Sequence, residues 1–103
     1  MNKCIGFDVS ETITKYPEQC RMMIGTFSKN GWSCYIVSPN EINSIHKDLK
    51  DAGIDENQVI IINRGDKGNV CKEYNICIML DDNKGYLDQC KDLQVMPLQV
   101  LRY

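Results

Sequence analysis

The sequence predicts an α/β fold, a three-layer sandwich built around a five-stranded parallel sheet. Three observations carry this. Apolar, β-branched runs of strand length recur along the chain, stretches with helical apolar spacing separate them, and the connections between the two are short. Strands that alternate with helices in this way belong to parallel sheets with right-handed crossovers. The chain has 103 residues, and a domain typically takes ~100–200, so residues 1–103 read as a single domain.

The elements follow in order. Residues 3–8 form a short apolar run ending in a carboxylate, Asp8. Pro17 suits the first turn of a helix whose Cys20, Met23, Ile24 and Phe27 fall on one stripe, with Asn30-Gly31 at its carboxyl end. Ser33 to Val37 is the second strand, stopped by Ser38-Pro39-Asn40. Ile42, Ile45, Leu49 and Ala52 share one face of the next helix, and Gly53 ends it. Val59-Ile60-Ile61-Ile62 is uniformly apolar and β-branched, as a strand buried on both faces should be. Asp66 is placed to cap a short helix carrying Val70, Cys71 and Tyr74. Residues 76–80 form another apolar strand, running into Asp81-Asp82. A short helix through Tyr86, Leu87 and Cys90 leads to a last strand over 95–101, which Pro97 places at a sheet edge.

Composition excludes several function classes. With 43% hydrophobic and 25% charged residues the chain is an ordinary globular one, not a disordered one. Fourteen acidic against 12 basic residues give a net charge of −2. A large nucleic-acid surface is therefore not expected, because such surfaces are basic. The six cysteines, Cys4, Cys20, Cys34, Cys71, Cys77 and Cys90, contain no C-x-x-C pair, and His46 is the single histidine, so no zinc site is expected. The N-terminus enters its first strand without a signal-peptide pattern. A cytoplasmic location is expected, in a cell or an infected host cell, with reduced thiols packed as small apolar groups. No apolar run approaches the ~18 residues of a membrane span.

Ligands of parallel sheets bind at the carboxyl ends of the strands. Three such ends carry reactive side chains here: Asp8, Ser38 and the pair Asp81-Asp82. Taken singly, each has a plain structural explanation. A strand-end Asp often caps a turn, Ser38 precedes Pro39 in a usual turn, and Lys67 at a helix start is normally solvated. Together they form a constellation. Carboxylates at adjacent strand ends make a hard-oxygen pocket suited to Mg²⁺. A hydroxyl and an ammonium beside it can hold phosphate oxygens, and a carboxylate facing the phosphate can act as nucleophile. Without a cation such a cluster would repel itself and any phosphate.

At these positions the chain resembles the haloacid-dehalogenase superfamily. Residues 5–14, IGFDVSETIT, resemble its first motif, an apolar strand followed by D-x-D-G-T. Tyr35-Ile36-Val37-Ser38 resembles the second, Lys67-Gly68 the third, and Ile78-Met79-Leu80-Asp81-Asp82-Asn83 the fourth. The resemblance implies a Rossmann-like sheet with strand order 5-4-1-2-3. It makes Asp8 the nucleophile and a metal ligand, joined by the main-chain carbonyl of Ser10 and by Asp81 and Asp82 around Mg²⁺. It assigns Thr12, Ser38 and Lys67 to the phosphate, with Lys72 as a lesser alternative to Lys67. Ser38-Pro39-Asn40 departs from the small residues usual after the second motif and alters the pocket wall, with Asn40 expected to bind the ligand.

The departures are informative. The family's second aspartate, its general acid/base, is Ser10 here, and such groups contribute ~10²–10⁴-fold. The family's glycine is Glu11, a candidate ligand-binding residue that could reach the metal, obstruct a phosphate or face solvent, with replacement of the missing acid/base as a minority alternative. There is no room for a cap domain after the first or third motif, so the site should be open, with closure by a homo-oligomer as one solution. The expectation is a protein that binds or sequesters a small phosphorylated ligand, a nucleotide or nucleotide-derived signal, with slow or no hydrolysis. An active capless phosphatase and an interaction module with a vestigial pocket are the alternatives. His46, Trp32, Lys47, Lys50, Lys84 and Lys91 read as packing or solvated positions.

Overall fold

The computed structural model describes residues 3–91 and 93–101. Five strands, β1 (Cys4–Phe7), β2 (Ser33–Val37), β3 (Val59–Ile62), β4 (Ile78–Asp81) and β5 (Met96–Gln99), alternate with four helices, α1 (Pro17–Lys29), α2 (Ile42–Asp51), α3 (Lys67–Glu73) and α4 (Lys84–Asp88). All strand pairs are parallel, in the order β3-β2-β1-β4-β5. Counted from the β5 edge, the same row of neighbours runs 5-4-1-2-3. β1 is central, so the chain leaves it in one direction through β2 and β3 and returns on its other side through β4 and β5.

Strand pleating sends alternate residues to opposite faces, and two apolar cores result. Ile5, Phe7, Cys34, Ile36 and Leu80 pack with Cys20 and Ile24 of α1 and Ile45 and Leu49 of α2. Val37, Ile62 and Met79 pack with Val70 and Cys71 of α3, Leu87 of α4, and Cys90. The α1 stripe is the expected one: Cys20 and Ile24 are buried, and Met23 and Phe27 pack at its border. Trp32 anchors the start of β2 edge-on against Phe27, with ring centroids 4.9 Å apart.

Some expectations are corrected. β3 is an edge strand, and Ile60 is 49% exposed, so the strand is not buried on both faces. Ile42 stands at the first turn of α2 and is exposed, leaving Ile45, Leu49 and Ala52 to bury that face. β4 begins at Ile78 and β5 covers only Met96–Gln99. Asp66 makes no side-chain cap to α3; its carboxylate is taken by Arg64, at 2.7 and 3.0 Å. The cap of α2 is Glu41, which accepts from the N–H groups of Asn43 and Ser44. Those two hydrogen bonds hold its carboxyl below the ordinary value.

The loop after β1 deserves its own description because it leads into the site. The Thr14 N–H donates to the Val9 carbonyl at 3.1 Å, closing a wide turn over Val9–Ile13. Within it Ser10 is extended and Glu11 adopts a left-handed conformation, φ 60°. The Glu11 N–H donates to Thr14 Oγ1 at 3.0 Å and braces that conformation.

α3 and the segment after α4 touch main chain to main chain. A Cβ at Gly68 would lie 2.4 Å from the Gln89 carbonyl oxygen. Replacing a helical glycine by alanine normally favours the helix by ~1 kcal/mol, whereas forcing an atom into a filled space costs ~1–3 kcal/mol. Since the obstacle is backbone, the clash wins. Gly68→Ala is expected to lower the urea midpoint of unfolding.

Candidate functional site at the carboxyl end of the sheet

The site forms because β1 and β4 are neighbours. The Asp8 N–H donates to the Leu80 carbonyl at 2.9 Å, extending the β1–β4 ladder by one step. This sets Asp8, Asp81 and Asp82 side by side. All three are buried, and each offers a carboxylate oxygen within 4.8 Å of the others. Lys67 enters from the third βα connection. Its ammonium donates to Asp8 Oδ1 at 2.7 Å and to Asp81 Oδ2 at 2.5 Å, and its side chain is fully buried. The other oxygen of Asp81 accepts from the Asn83 N–H at 2.9 Å.

The Lys67 ammonium pairs with two of these carboxyl groups, Asp8 and Asp81, and taking a carboxylate out of water is costly. The cost appears in Asp8. Burial pushes its pKa up to about 7, against the pull of the Lys67 ammonium, and the nearby Asp81 charge and Asp82 carboxyl add to the rise. A divalent cation would remove that cost by favouring the ionised carboxylates. The donors are hard oxygens, which suits Mg²⁺ or Ca²⁺ rather than a thiolate-loving metal.

Beside this cluster lies a cavity of about 400 Å³ lined by Asp8, Ser10, Glu11, Pro39, Asn40, Asp82, Asn83 and Tyr86. Small-molecule sites typically occupy ~300–1,000 Å³. Asn40 Nδ2 donates to Ser10 Oγ at 2.9 Å, joining the loop after β2 to the turn after β1. The loop after β2 is itself fastened by Asn63, whose Nδ2 donates to the carbonyls of Ser38 at 2.8 Å and Asn40 at 2.7 Å.

The structure brings together most of the residues expected from the sequence. Asp8, Ser10, Glu11, Asn40 and Asp82 line the cavity, while Asp81 and Lys67 lie directly behind Asp8. Thr12 and Ser38 are fully buried and do not line it. Ser38 Oγ accepts from the Asn40 N–H at 3.1 Å, so it shapes the loop that carries Asn40. The Thr12 hydroxyl has no hydrogen-bond partner among the described residues. Lys72 is exposed and belongs to a different surface, near Gly68, Asn69 and Gln89.

Two participants, Tyr86 and Asn63, were not singled out from the sequence, and Asn83 was read there only within the fourth motif and as a cap for the next helix. Tyr86 lines the cavity, and its ring centroid lies 4.5 Å from the Lys67 ammonium, a cation–π contact. Asn83 also lines the cavity, and its side chain caps α4 by accepting from the N–H groups of Gly85 and Tyr86. Asn63 follows β3, and the strand-end reasoning that found Asp8 and Ser38 applies to it equally. Tyr86 falls in the first turn after Asn83, where a short helix starting at the site must present a side chain.

Compared with family models, with curated proteins and with solved structures, the chain matches none. The reading of the site therefore rests on its own geometry.

Two outcomes are expected. Lys67→Met leaves Asp8 and Asp81 buried without their cation, and breaking a buried pair from one side typically costs ~3–5 kcal/mol. Urea unfolding at pH 8 should register a loss of that order, with a smaller loss in acid where the carboxyls are protonated. The second concerns Asp8 in metal-free protein. Its folded pKa is raised above its unfolded value, so the native state holds the proton more tightly. The stabilisation is present below the unfolded pKa and is lost as pH rises through about 7. Thermal melts in EDTA should show Asp8→Asn gaining on the parent protein between pH 5 and pH 8.

Proposed function

We propose that this protein binds a small phosphorylated ligand through Mg²⁺ held at Asp8, Asp81 and Asp82, and turns it over slowly or not at all. The observation that carries this reading is the buried cluster itself: three carboxyl groups and one lysine, of which Asp8 and Asp82 reach the wall of an open, polar cavity. A cluster of net negative charge at the carboxyl end of a parallel sheet needs a cation, and a cation placed there recruits an anionic ligand. We read the fold as a three-layer sandwich of the haloacid-dehalogenase type without a cap domain, and the ligand as a nucleotide or a related phosphate ester.

In this reading Asp8 lies against the phosphorus side of the ligand. Asp81 and Asp82, with the main-chain carbonyl of Ser10, complete the metal's protein ligands. Mg²⁺, when bound, supplies neutralisation of phosphate charge. Lys67 holds Asp8 and Asp81 in place from behind, and its contact with the Tyr86 ring fixes its position from the α4 side. Asn40 and Asn83 both line the cavity and offer amide groups to the ligand's oxygens.

Slow turnover follows from Ser10. A hydroxyl at this position cannot give a proton to a leaving group or take one from water near neutral pH. Its oxygen is also engaged by Asn40. Glu11 also brings a carboxylate to the cavity wall, but it is the left-handed residue of the turn, one position along.

The first test incubates the protein with Mg²⁺ and a mixed pool of nucleotides and sugar phosphates, then quantifies free, retained and altered compounds by mass spectrometry. Stoichiometric retention of an intact compound, released on denaturation, is expected. Conversion many times over per protein would instead support an active phosphatase acting through Asp8. In the second test, Ser10→Asp restores an acid/base group and should raise Mg²⁺-dependent phosphate release by roughly 10²–10⁴-fold. Adding Asp8→Asn to that variant should abolish the gain.

A further inference from the structure

Two thiols outside the carboxylate cluster meet beside it. Cys71 lies on α3, one helical turn after Lys67, and Cys90 follows α4. Their Sγ atoms are 3.8 Å apart, and the residues are 1% and 2% exposed. The surrounding backbone holds them there. The Gly68 N–H donates to Gln89 Oε1 at 3.1 Å, and the main chains of Gly68 and Gln89 are in contact. The contact with Cys71 holds the Cys90 thiol below its ordinary pKa, while the same contact and burial push Cys71 up. Two other buried thiols are differently engaged: Cys20 and Cys34 each donate to a main-chain carbonyl 3.8 Å away.

A cavity of about 190 Å³, lined in part by Cys71, Asn75, Cys77 and Gln94, opens on the Cys71 side of the pair. One water occupies ~30 Å³ in the liquid, so a small peroxide fits. An S–S bond is ~2.05 Å long, so forming one brings the two Sγ atoms closer than their present 3.8 Å.

We propose that Cys71 and Cys90 are a redox modification site, a thiol pair that hydrogen peroxide converts into a reversible disulfide stapling α3 to the end of α4. The first sulfur gives an electron pair to the peroxide O–O bond and becomes a sulfenic acid as one water leaves. The second sulfur attacks it, forms the S–S bond and expels a second water. Both thiol protons leave in the two waters, and the peroxide is the oxidant consumed. A dithiol reductant reverses the step. The staple joins the two elements whose Lys67 and Tyr86 meet behind the cavity.

The experiment exposes reduced, metal-free protein to hydrogen peroxide, alkylates the remaining thiols and digests with trypsin. Cleavage after Lys67, Lys72, Lys84 and Lys91 places Cys71 in peptide 68–72, Cys77 in 73–84 and Cys90 in 85–91. The expected product is peptide 68–72 linked to 85–91, two hydrogens lighter than their sum and absent after dithiothreitol. Oxidised protein should also melt at a higher temperature than reduced protein, and Cys90→Ala should lose both the linked peptide and the shift. Full alkylation of Cys71 and Cys90 after peroxide would overturn the proposal. So would a Cys4–Cys77 linkage in their place, or a linked peptide found only in protein that has lost its circular-dichroism signature.

Discussion

The ammonium of Lys67, buried between Asp8 and Asp81, is the interaction on which the rest of this structure depends. Asp8 and Asp81 sit at the ends of adjacent strands and cannot move apart without breaking the β1–β4 ladder. Two carboxylates so placed would repel each other strongly in a low-dielectric interior. Lys67 makes the arrangement tenable, and it does so only because the connection after β3 delivers the first residue of α3 to that point. With Asp82 added, one cation still does not match the acids. Burial of the cluster makes Asp8 a weak acid in the free protein, and the three carboxyl groups are close enough together that they could hold a metal ion.

The turn after β1 carries a strained backbone position at the cavity wall. A non-glycine residue in the left-handed region costs about 1–2 kcal/mol, and Glu11 bears that cost at the cavity wall. The compensation is local: the Glu11 N–H and the Thr14 N–H both find acceptors inside the turn. The same turn presents Ser10 to Asn40, whose side chain bridges the two loops through the Ser10 hydroxyl.

Much of the arrangement was legible in the sequence. Strand–helix alternation, the apolar stripe of α1 and the strand-end residues are local patterns, and they place Asp8, Ser38, Asp81 and Asp82 without any knowledge of contacts, whereas Ser10 enters only through the family resemblance. Two kinds of feature were not legible. Edge and centre differ by pairing partners, so Ile60 reads as a buried residue until β3 is found at the edge. Capping depends on competition, so Asp66 reads as a cap until Arg64 takes its carboxylate. Tyr86 and Asn63 belong to the same class: each acts through a group distant in the chain.

What the sequence by itself determined is the order of elements and the kinds of side chain at each strand end, because periodicity and turn chemistry are properties of neighbouring residues. Only the tertiary structure decided that Lys67 is fully buried between two acids, that Thr12 and Ser38 lie off the cavity wall, and that Cys71 meets Cys90. These are outcomes of which strands become neighbours and how closely two short helices approach. A charge, a hydroxyl or a thiol acquires its role from the groups packed against it, and those groups come from parts of the chain up to 59 residues apart, the separation of Lys67 from Asp8.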